Sequence, residues 1–312
     1  MLLSIVIPVL NEEEGLDELF LQTSTALQSI TNDWEVICVN DGSTDQTLNK
    51  LVQLHEKDPR WKVVSLSRNF GHQPAIWAGL KHASGEYIGM MDGDLQDDPA
   101  MFSQFIKALS PTADIVYAIR TKRKESFLKR VAYRGFYRLL KNVLGVKVPL
   151  DSGDFCLMKK KAVKEMLSMP EHSLFIRGIR SWVGFNQVGI PAERNERFSG
   201  KPKYSMRKLM KLAYDGMFSF SDFPIKFLGR LGLIIILASI AYAAYILTKR
   251  LVWGDVPEGF TTLIIVILFF GGVQLVTVRI LGEYLLRIYN ESRKRPLYII
   301  NNTYGDLENP DQ

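Results

Sequence analysis

Two long apolar stretches near the C-terminus set the strictest limit on how this chain folds. Residues 231–248 and 260–278 contain no charged side chain, and each is about as long as a helix that crosses a bilayer. The short connection between them predicts a hairpin of two transmembrane helices with both ends on one side. These stretches also account for the high hydrophobic share of the chain, 47%. The alternative is a pair of core helices in a soluble protein.

Basic residues outside the hairpin indicate on which side of the membrane the rest of the chain lies. The connecting loop carries two basic and two acidic residues, which cancel. Basic residues flank the hairpin at Lys201, Lys203, Arg207, Lys208, Lys211, Lys226, Arg230, Arg279, Arg287, Arg293, Lys294 and Arg295. Because cytoplasmic segments are enriched in Lys and Arg, we expect a multi-pass inner-membrane protein with both termini in the cytoplasm. Residues 206–230 then form an interfacial amphipathic region and residues 279–312 a cytoplasmic tail.

The first 205 residues follow a different pattern, in which short apolar runs alternate with amphipathic segments. The apolar runs have the length of strands that are buried on both faces, and they lie at 2–10, 35–40, 62–67, 86–91 and 114–119. The amphipathic segments between them lie at 12–30, 44–57, 72–83 and 99–109. This order predicts an α/β domain at 1–205 with a mostly parallel, doubly wound sheet.

Charge and cysteine content narrow the classes of partner and site. The net charge of +6 suits an anionic membrane surface, a phosphorylated substrate or nucleic acid. Residues 120–148 carry apolar side chains on one helical face and basic ones on the other, which fits an ordinary packed helix or a helix on an anionic membrane. Cys38 and Cys156 are far apart with no C-x-x-C, so a disulfide framework or a thiolate zinc site is not expected.

Polar motifs stand where the predicted strands end. They are NEEE at 11–14, NDGSTD at 40–45, SRNFG at 67–71 and DGDLQDD at 92–98. Ligands of open α/β sheets bind beyond the carboxyl ends of the strands, so we expect these motifs to converge on one crevice. Asp41 can accept a hydrogen bond from a base N–H there, and Gly42 lets the backbone approach closely. Neither the dinucleotide fingerprint G-x-G-x-x-G nor a P-loop motif occurs.

The acidic turn after the fourth apolar run is the strongest candidate for a metal site. Asp92 and Asp94 are two residues apart, and Gln96 follows. Mg²⁺ and Mn²⁺ prefer oxygen ligands and share them with substrate phosphates, so a cation here would offset the repulsion between the carboxylates and bridge a diphosphate. The alternative is a plain acidic turn that caps the next helix, a role that we assign to Asp97 and Asp98. His72, near the same crevice, either contacts substrate or begins a helix.

Six motifs together resemble a known family. In chain order they are SIVIPVLNEEE, ICVNDGSTD, LSRNFGHQPA, DGDLQDDP, DSGDFCLM and RFSGKPKYS. They are similar to GT-A glycosyltransferases of family 2, in the branch that uses polyprenyl phosphates. The resemblance implies a Rossmann-like GT-A domain followed by the transmembrane hairpin. It also implies inverting transfer of a sugar from a nucleotide diphosphate sugar to polyprenyl phosphate, with Mg²⁺ or Mn²⁺. Its bacterial two-span members favour UDP over GDP.

The same resemblance assigns roles by position. The nucleotide would be held by Pro8, Leu10, Asn11, Glu12, Asp41, Asp92, Gly93 and Asp94, and the metal by Asp92, Asp94 and Gln96. Arg120, Arg197 and Lys203 would bind phosphates, as their charge and geometry allow. Asp154 occupies the position of the proposed catalytic base, or it orients substrate or stabilises developing positive charge on the sugar. The expected partners are the donor, the lipid acceptor, the bilayer and another copy of the chain, with no nucleic acid.

The chain departs from the family pattern at some positions, and two other functions fit parts of the sequence. Gly93 stands where the family usually has alanine, and Cys156 stands where many members have arginine, a change that could alter acceptor or sugar contacts. One alternative function is a processive polysaccharide synthase, which would normally carry Q-x-x-R-W and more membrane spans. The other is a non-catalytic membrane scaffold that retains the fold, against which the intact set of polar site residues argues.

Overall fold

The structure, a computed structural model, describes residues 2–109, 112–120, 152–169, 174–193, 223–253 and 259–307. These residues belong to two compact units. The described residues up to 193, together with those from 295 onward, form an α/β unit. Residues 223–253 and 259–294 belong to a helical unit. The segment 121–151, which carries the predicted basic helix, and residues 194–222, which carry most of the predicted interfacial region, lie outside the described residues.

The α/β unit is built on one eight-stranded sheet. Its strands are β1 (Leu3–Val9), β2 (Trp34–Asn40), β3 (Trp61–Leu66), β4 (Tyr87–Met90), β5 (Ile115–Arg120), β6 (Ser152–Lys159), β7 (Gln187–Ala192) and β8 (Ile300–Tyr304). They are arranged in the order β7-β5-β6-β4-β1-β2-β3-β8. The strands β6 and β8 run antiparallel to their neighbours, and all other neighbours pair in parallel. The predicted mostly parallel sheet is therefore confirmed.

Helices connect and cover the strands. In the α/β unit they are α1 (Leu16–Gln28), α2 (Thr47–Lys57), α3 (His72–Lys81), α4 (Met101–Ala108), α5 (Lys160–Leu167) and α6 (Ile176–Trp182). Every residue of β1 and β2 is buried, as expected for strands covered on both faces. On one side of β6, Phe155 packs with Phe102 and Phe105 of α4, with ring centroids 4.9 to 5.8 Å apart. This aromatic cluster fixes α4 against the strand that carries Asp154.

The five predicted apolar runs all form strands, whereas the last three strands were not predicted. The sequence of β6 mixes charged and apolar residues, and β7 contains a glycine and a proline and is mostly half-exposed, so neither resembles a central strand buried on both faces. The strand β8 lies in the segment predicted as a tail and has a polar sequence, INNTY, of which the three central residues are exposed. It pairs antiparallel with β3 at the edge of the sheet.

The helical unit contains two long helices, α7 (Phe223–Trp253) and α8 (Phe260–Ser292), which include the two predicted apolar stretches. Among the residues that the structure describes, the segment Phe269–Ser292 has the length and composition to cross a membrane, and Phe227–Tyr242 is a shorter apolar segment. Apolar side chains of α8 are widely exposed, including Leu275 and Leu285. That both helices span a bilayer as a hairpin stays a prediction.

Candidate active site

The loops after β1 and β2 are tied together at the carboxyl edge of the sheet. The backbone N–H of Asn11 donates to Ser43 Oγ over 3.0 Å, and the N–H of Thr44 donates to Asn11 Oδ1 over 2.9 Å. Asn11 has φ +52°, a left-handed conformation that asparagine tolerates better than most residues. Because these bonds join residues 32 and 33 positions apart, the two loops form one wall of the predicted crevice.

The four predicted nucleotide-binding residues near the end of β1 differ in exposure. Pro8 is buried inside the strand, Asn11 is exposed, and Leu10 and Glu12 lie between these extremes. The N–H of Glu12 donates to Thr47 Oγ1 at the start of α2, over 3.0 Å. Asn11 and Glu12 are thus held at the rim by their backbones, and a role in nucleotide binding stays a prediction for all four.

Asp41 anchors the segment that leads into α3. Its side chain accepts hydrogen bonds from the N–H groups of Phe70, at 2.7 Å, and Gly71, at 3.0 Å. Burial raises the pKa of the Asp41 carboxyl, and the two N–H groups oppose that rise. Gly42 has φ +66°, and a Cβ there would lie 2.4 Å from the carbonyl carbon of Arg68. Gly42 therefore lets its backbone pack closely against that of Arg68, while its approach to a nucleotide and base recognition by Asp41 stay predictions.

The acidic turn follows β4 directly. The Asp94 carboxylate accepts the N–H of Gln96 over 3.2 Å, and the intervening Leu95 has φ +57° and is buried. The buried leucine fixes a turn whose two flanking polar side chains stay partly exposed. Asp92 is also partly exposed, at 25% of its side chain. The candidate metal ligands Asp92, Asp94 and Gln96 therefore lie at the end of a buried strand and are partly exposed to solvent.

Gly93 is enclosed by the end of β1. A Cβ at this position would lie 2.8 Å from Val9 Cγ1 and 3.2 Å from the carbonyl oxygen of Pro8. Glycine therefore lets the acidic turn pack directly against the neighbouring strand. An alanine here would require Val9 to move.

Strand register brings Asp154 level with the acidic turn. Met90 at the end of β4 pairs with Cys156 near the start of the antiparallel β6. Asp92 lies two residues after Met90, just beyond the end of β4, and Asp154 lies two residues before Cys156 in β6. Because the strands are antiparallel, both carboxylates lie at the same edge of the sheet. The side chain of Asp154 is only 8% exposed. Cys156 is completely buried, so its own side chain does not line the crevice surface, and the predicted change in acceptor or sugar contacts stays a prediction.

His72 links the two carboxylates. It begins α3, and its Nε2 lies 3.4 Å from Asp92 Oδ1 and 3.6 Å from Asp154 Oδ2. Burial opposes the charged imidazole, but the contact with Asp154 and the charge of Asp92 outweigh burial, so the pKa of His72 is raised. The interpretation of His72 as a helix-start residue is therefore confirmed, and its contact with substrate stays a prediction.

Arg177 holds Asp154 at two points. Its Nε donates to Asp154 Oδ1 over 2.8 Å and its Nη2 donates to Oδ2 over 3.0 Å. Burial alone would raise the pKa of Asp154, but the guanidinium of Arg177 and the ring of His72 hold that pKa well below its usual range. Asp154 is therefore a carboxylate at neutral pH and, in this geometry, a weak proton acceptor.

The described residues fit a divalent cation held jointly with a substrate. Those residues contain no cluster of three or more His, Cys, Asp or Glu side chains arranged to hold a metal. Mg²⁺, however, is typically held by one or two carboxylates, with waters and substrate phosphates completing its shell. Asp92 and Asp94, with the amide oxygen of Gln96, supply that smaller set at a partly exposed turn.

The structure places the remaining predicted residues only in part. Arg120 ends β5, but its side chain is not described, and Arg197 and Lys203 lie outside the described residues. Arg177 was not predicted as a site residue, because it stands in no local motif and reaches Asp154 only through the packing of α6. The signal for His72 was its place after SRNFG, at the predicted strand edge.

Known proteins that are similar to this chain are glycosyltransferases. The profile of glycosyl transferase family 2 matches residues 4–167. An uncharacterised glycosyltransferase of Synechocystis sp. is 41% identical over 97% of this chain and 96% of its own length. The bactoprenol glucosyl transferase of Shigella phage SfV is 39% identical over 97% and 99%. The solved mannosyltransferase PcManGT of Pyrobaculum calidifontis, in complex with GDP-Man and Mn²⁺, covers 92% of this chain and 84% of its own, with TM-score 0.45 and 18% identity.

The family match covers just over half of the chain, and the curated relatives align with nearly all of it. Together with the acidic turn at the carboxyl edge of a mostly parallel sheet, these matches identify the chain as a glycosyltransferase that belongs to glycosyl transferase family 2.

Proposed function

We propose that this glycosyltransferase moves a sugar from a nucleotide diphosphate sugar to a polyprenyl phosphate, with inversion at the anomeric carbon. The observation that carries the proposal is the joint placement of Asp92, His72 and Asp154 at one sheet edge. This site lies in a chain that aligns over its length with a bactoprenol glucosyl transferase. That relative's name identifies a polyprenol as its acceptor lipid, which supports the same acceptor class here.

The donor side of the site uses the acidic turn. Asp92, Asp94 and Gln96 would hold Mg²⁺ or Mn²⁺, which would stabilise the negative charge of the departing nucleoside diphosphate. Asn11, Glu12 and the other residues at the ends of β1 and β2 would bind the nucleoside, with Asp41 receiving a base N–H. Arg120, Arg197 and Lys203 would bind phosphates. We propose a UDP-sugar, on the strength of the resemblance to two-span bacterial enzymes.

Asp154 has a role other than proton removal in this proposal. The acceptor phosphate is already anionic at neutral pH, so it needs no strong base to attack the anomeric carbon. A carboxylate whose pKa is held well below its usual range keeps its negative charge throughout the reaction. It would therefore orient the sugar or the acceptor and stabilise positive charge that develops on the sugar ring.

The helical unit supports a membrane location. The segment Phe269–Ser292 has 24 residues, a length that can cross a bilayer, and the apolar residues Leu275, Leu281 and Leu285 on α8 are exposed. A polyprenyl phosphate resides in a membrane, so an anchor would keep the site near its acceptor. We propose a two-helix anchor with the α/β unit on the cytoplasmic face of the cell membrane.

One assay separates this function from its alternatives. Purified protein with Mg²⁺ or Mn²⁺ is given undecaprenyl phosphate and a panel of radiolabelled UDP- and GDP-sugars. We expect label in a single lipid that partitions into organic solvent and whose formation requires undecaprenyl phosphate. Labelled polymer would indicate a processive synthase instead, and no transfer from any donor would favour a scaffold.

A further inference from the structure

The contact between Arg177 and Asp154 joins two elements that the chain keeps apart. Asp154 lies in β6 and Arg177 in the first turn of α6, 23 residues later. Both carboxylate oxygens are engaged, at 2.8 and 3.0 Å, in the two-point geometry that arginine makes with carboxylates. Such a pair fixes the plane of the carboxylate as well as its position, because rotation would break one bond.

A contribution to folding stability does not by itself explain why this ion pair is present. Removing an acid and a base from water costs about as much as their attraction returns, so buried ion pairs add little to folding compared with apolar contacts. The pair also lies at the carboxyl edge of the sheet, where the acidic turn lies. His72 Nε2 is 3.6 Å from Asp154 Oδ2, the oxygen that accepts from Arg177 Nη2, and 3.4 Å from Asp92 Oδ1. The pair is therefore connected to the metal-side carboxylate.

A second, independent contact sets the position of α6. The backbone N–H of Ile176 donates to Gln73 Oε1 over 2.9 Å, between residues 103 positions apart. Gln73 adjoins His72 in α3, and Ile176 adjoins Arg177 in α6. His72 and Gln73 are neighbours in α3, and they contact Asp154 and Ile176 respectively. Arg177, the neighbour of Ile176 in α6, binds the same Asp154. This places the guanidinium by contacts that do not depend on the ion pair itself.

We propose that Arg177 is a positioning residue, whose two-point contact fixes the orientation of the Asp154 carboxylate for sugar transfer. The inference rests on the proposed function and extends it to a residue that no motif marks. Arg177 acts through Asp154 and needs no contact with the reacting atoms. A carboxylate aligned before substrate binds requires no reorganisation during the reaction, which is the condition for effective electrostatic stabilisation.

The test is a cycle of variants in the full-length protein, assayed for labelled polyprenyl-phosphate sugar. R177M removes both hydrogen bonds, and R177K keeps the charge but not the two-point contact. We expect each to lower kcat by about 10²-fold, the cost of a small misplacement in an active site, with donor KM within about threefold of the unaltered protein. D154N should lower kcat at least as much. The double variant R177M/D154N should be no slower than D154N, because Arg177 would then have nothing to position.

Arg60 provides a matched control. Its Nε and Nη2 make the same two-point contact with Asp58, at 3.0 and 2.8 Å, but before β3 and therefore at the opposite edge of the sheet. R60M should retain the kcat of the unaltered protein. Circular dichroism and gel filtration of all variants exclude losses caused by misfolding.

Three outcomes would overturn the inference and differ in what else they affect. If R177M or R177K retains full kcat while the unaltered protein is active, only the positioning role fails. If the losses of R177M and D154N multiply in the double variant, Arg177 acts independently of Asp154, and the positioning role again fails alone. If the unaltered protein transfers no sugar, the proposed function fails and the inference fails with it.

Discussion

Buried carboxylates lie at both edges of the sheet, and their surroundings differ. At the amino edge Glu35 is bound by Lys62 Nζ at 2.7 Å and by the N–H and hydroxyl of Ser84 at 2.9 and 2.7 Å, and Ser4 donates a further hydrogen bond. Ser4 and Lys62 belong to β1 and β3, and Ser84 lies in the segment that connects α3 with β4. At the carboxyl edge, His72 lies between two carboxylates, and Asp92 remains partly exposed.

The surroundings of Glu35 are those of a structural acid, whereas the surroundings of the carboxyl-edge acids fit the proposed functional role. The Glu35 side chain is 4% exposed and has a compensating charge and three further hydrogen bonds inside the protein. The carboxyl-edge cluster gathers Asp92, Asp94 and Asp154 from two strand ends around contacts that leave the acidic turn accessible. Concentrated negative charge open to solvent is suited to a cation and a phosphorylated ligand. Four predictions, together with the Arg177 cycle, test this difference.

The largest effect is expected from the acidic turn. D94A removes a carboxylate proposed to hold the cation, so we expect sugar transfer to fall by at least about 10³-fold. Unfolding temperature and membrane insertion should be unchanged, because Asp94 is partly exposed and its carboxylate accepts the N–H of Gln96 within the same turn. Activity near that of the unaltered protein at saturating Mg²⁺ would remove the metal role from Asp94.

The reverse pattern is expected at the amino edge. E35Q leaves Lys62 without its charge partner at a site that is almost completely buried, so the free energy of unfolding should fall by about 3 kcal/mol. Sugar transfer per folded molecule should stay within about twofold. Tryptophan fluorescence during denaturant unfolding in detergent measures the first quantity, and the lipid assay measures the second. A large loss of kcat without loss of stability would contradict the distinction between the two edges.

The stability difference between the unaltered protein and E35Q should depend on pH. Burial alone would raise the pKa of Glu35, but Lys62, Ser4 and Ser84 outweigh burial and lower it below its ordinary value of 4.5. A lowered folded-state pKa contributes stability that is full above the unfolded value and is lost as pH falls through the folded value. Unfolding curves should therefore differ most above about pH 5 and converge in more acidic buffer. A difference that grows on acidification would contradict this assignment.

The smallest effect is expected at Gly93. G93A introduces a Cβ 2.8 Å from Val9 Cγ1, which should cost about 1 to 2 kcal/mol of stability and shift the acidic turn slightly. The double variant G93A/V9A removes the clash, so its stability loss should be smaller than the sum of the two single losses. Strict additivity in denaturant unfolding would show that Val9 does not limit the position of the turn.

The parts of the fold that depend on local sequence patterns could be predicted from the sequence. Continuous apolar runs marked β1 to β5, because strands buried on both faces cannot alternate polar and apolar side chains. The common edge of parallel strands then brought the motifs after β1, β2 and β4 together. The strand β6 was not predicted because its short apolar run is flanked by Asp154 and Lys159, and β8 was not predicted because its exposed central residues are polar.

The parts of the site that were missed depend on contacts between distant residues. Arg177 meets Asp154 only because α6 is held against α3 by the bond from Ile176 to Gln73, across 103 positions. No spacing within one helix or strand encodes that meeting. His72 itself was placed near the crevice by the sequence, but its contacts with Asp92 and Asp154 were not, since these come from two antiparallel strand ends whose register becomes known only with the sheet.

The strand β8 has a consequence for how this protein is made. It pairs with β3 at the edge of the sheet, yet in the chain it follows α7 and α8, so both long helices are an insertion within the α/β unit. During synthesis β8 therefore emerges after both long helices, and until then the edge of β3 exposes unpaired backbone donors and acceptors with which another chain can pair. A protein truncated before the two helices would therefore lack β8, the strand that pairs with β3 at the edge of the sheet, and we expect its α/β unit to be incomplete.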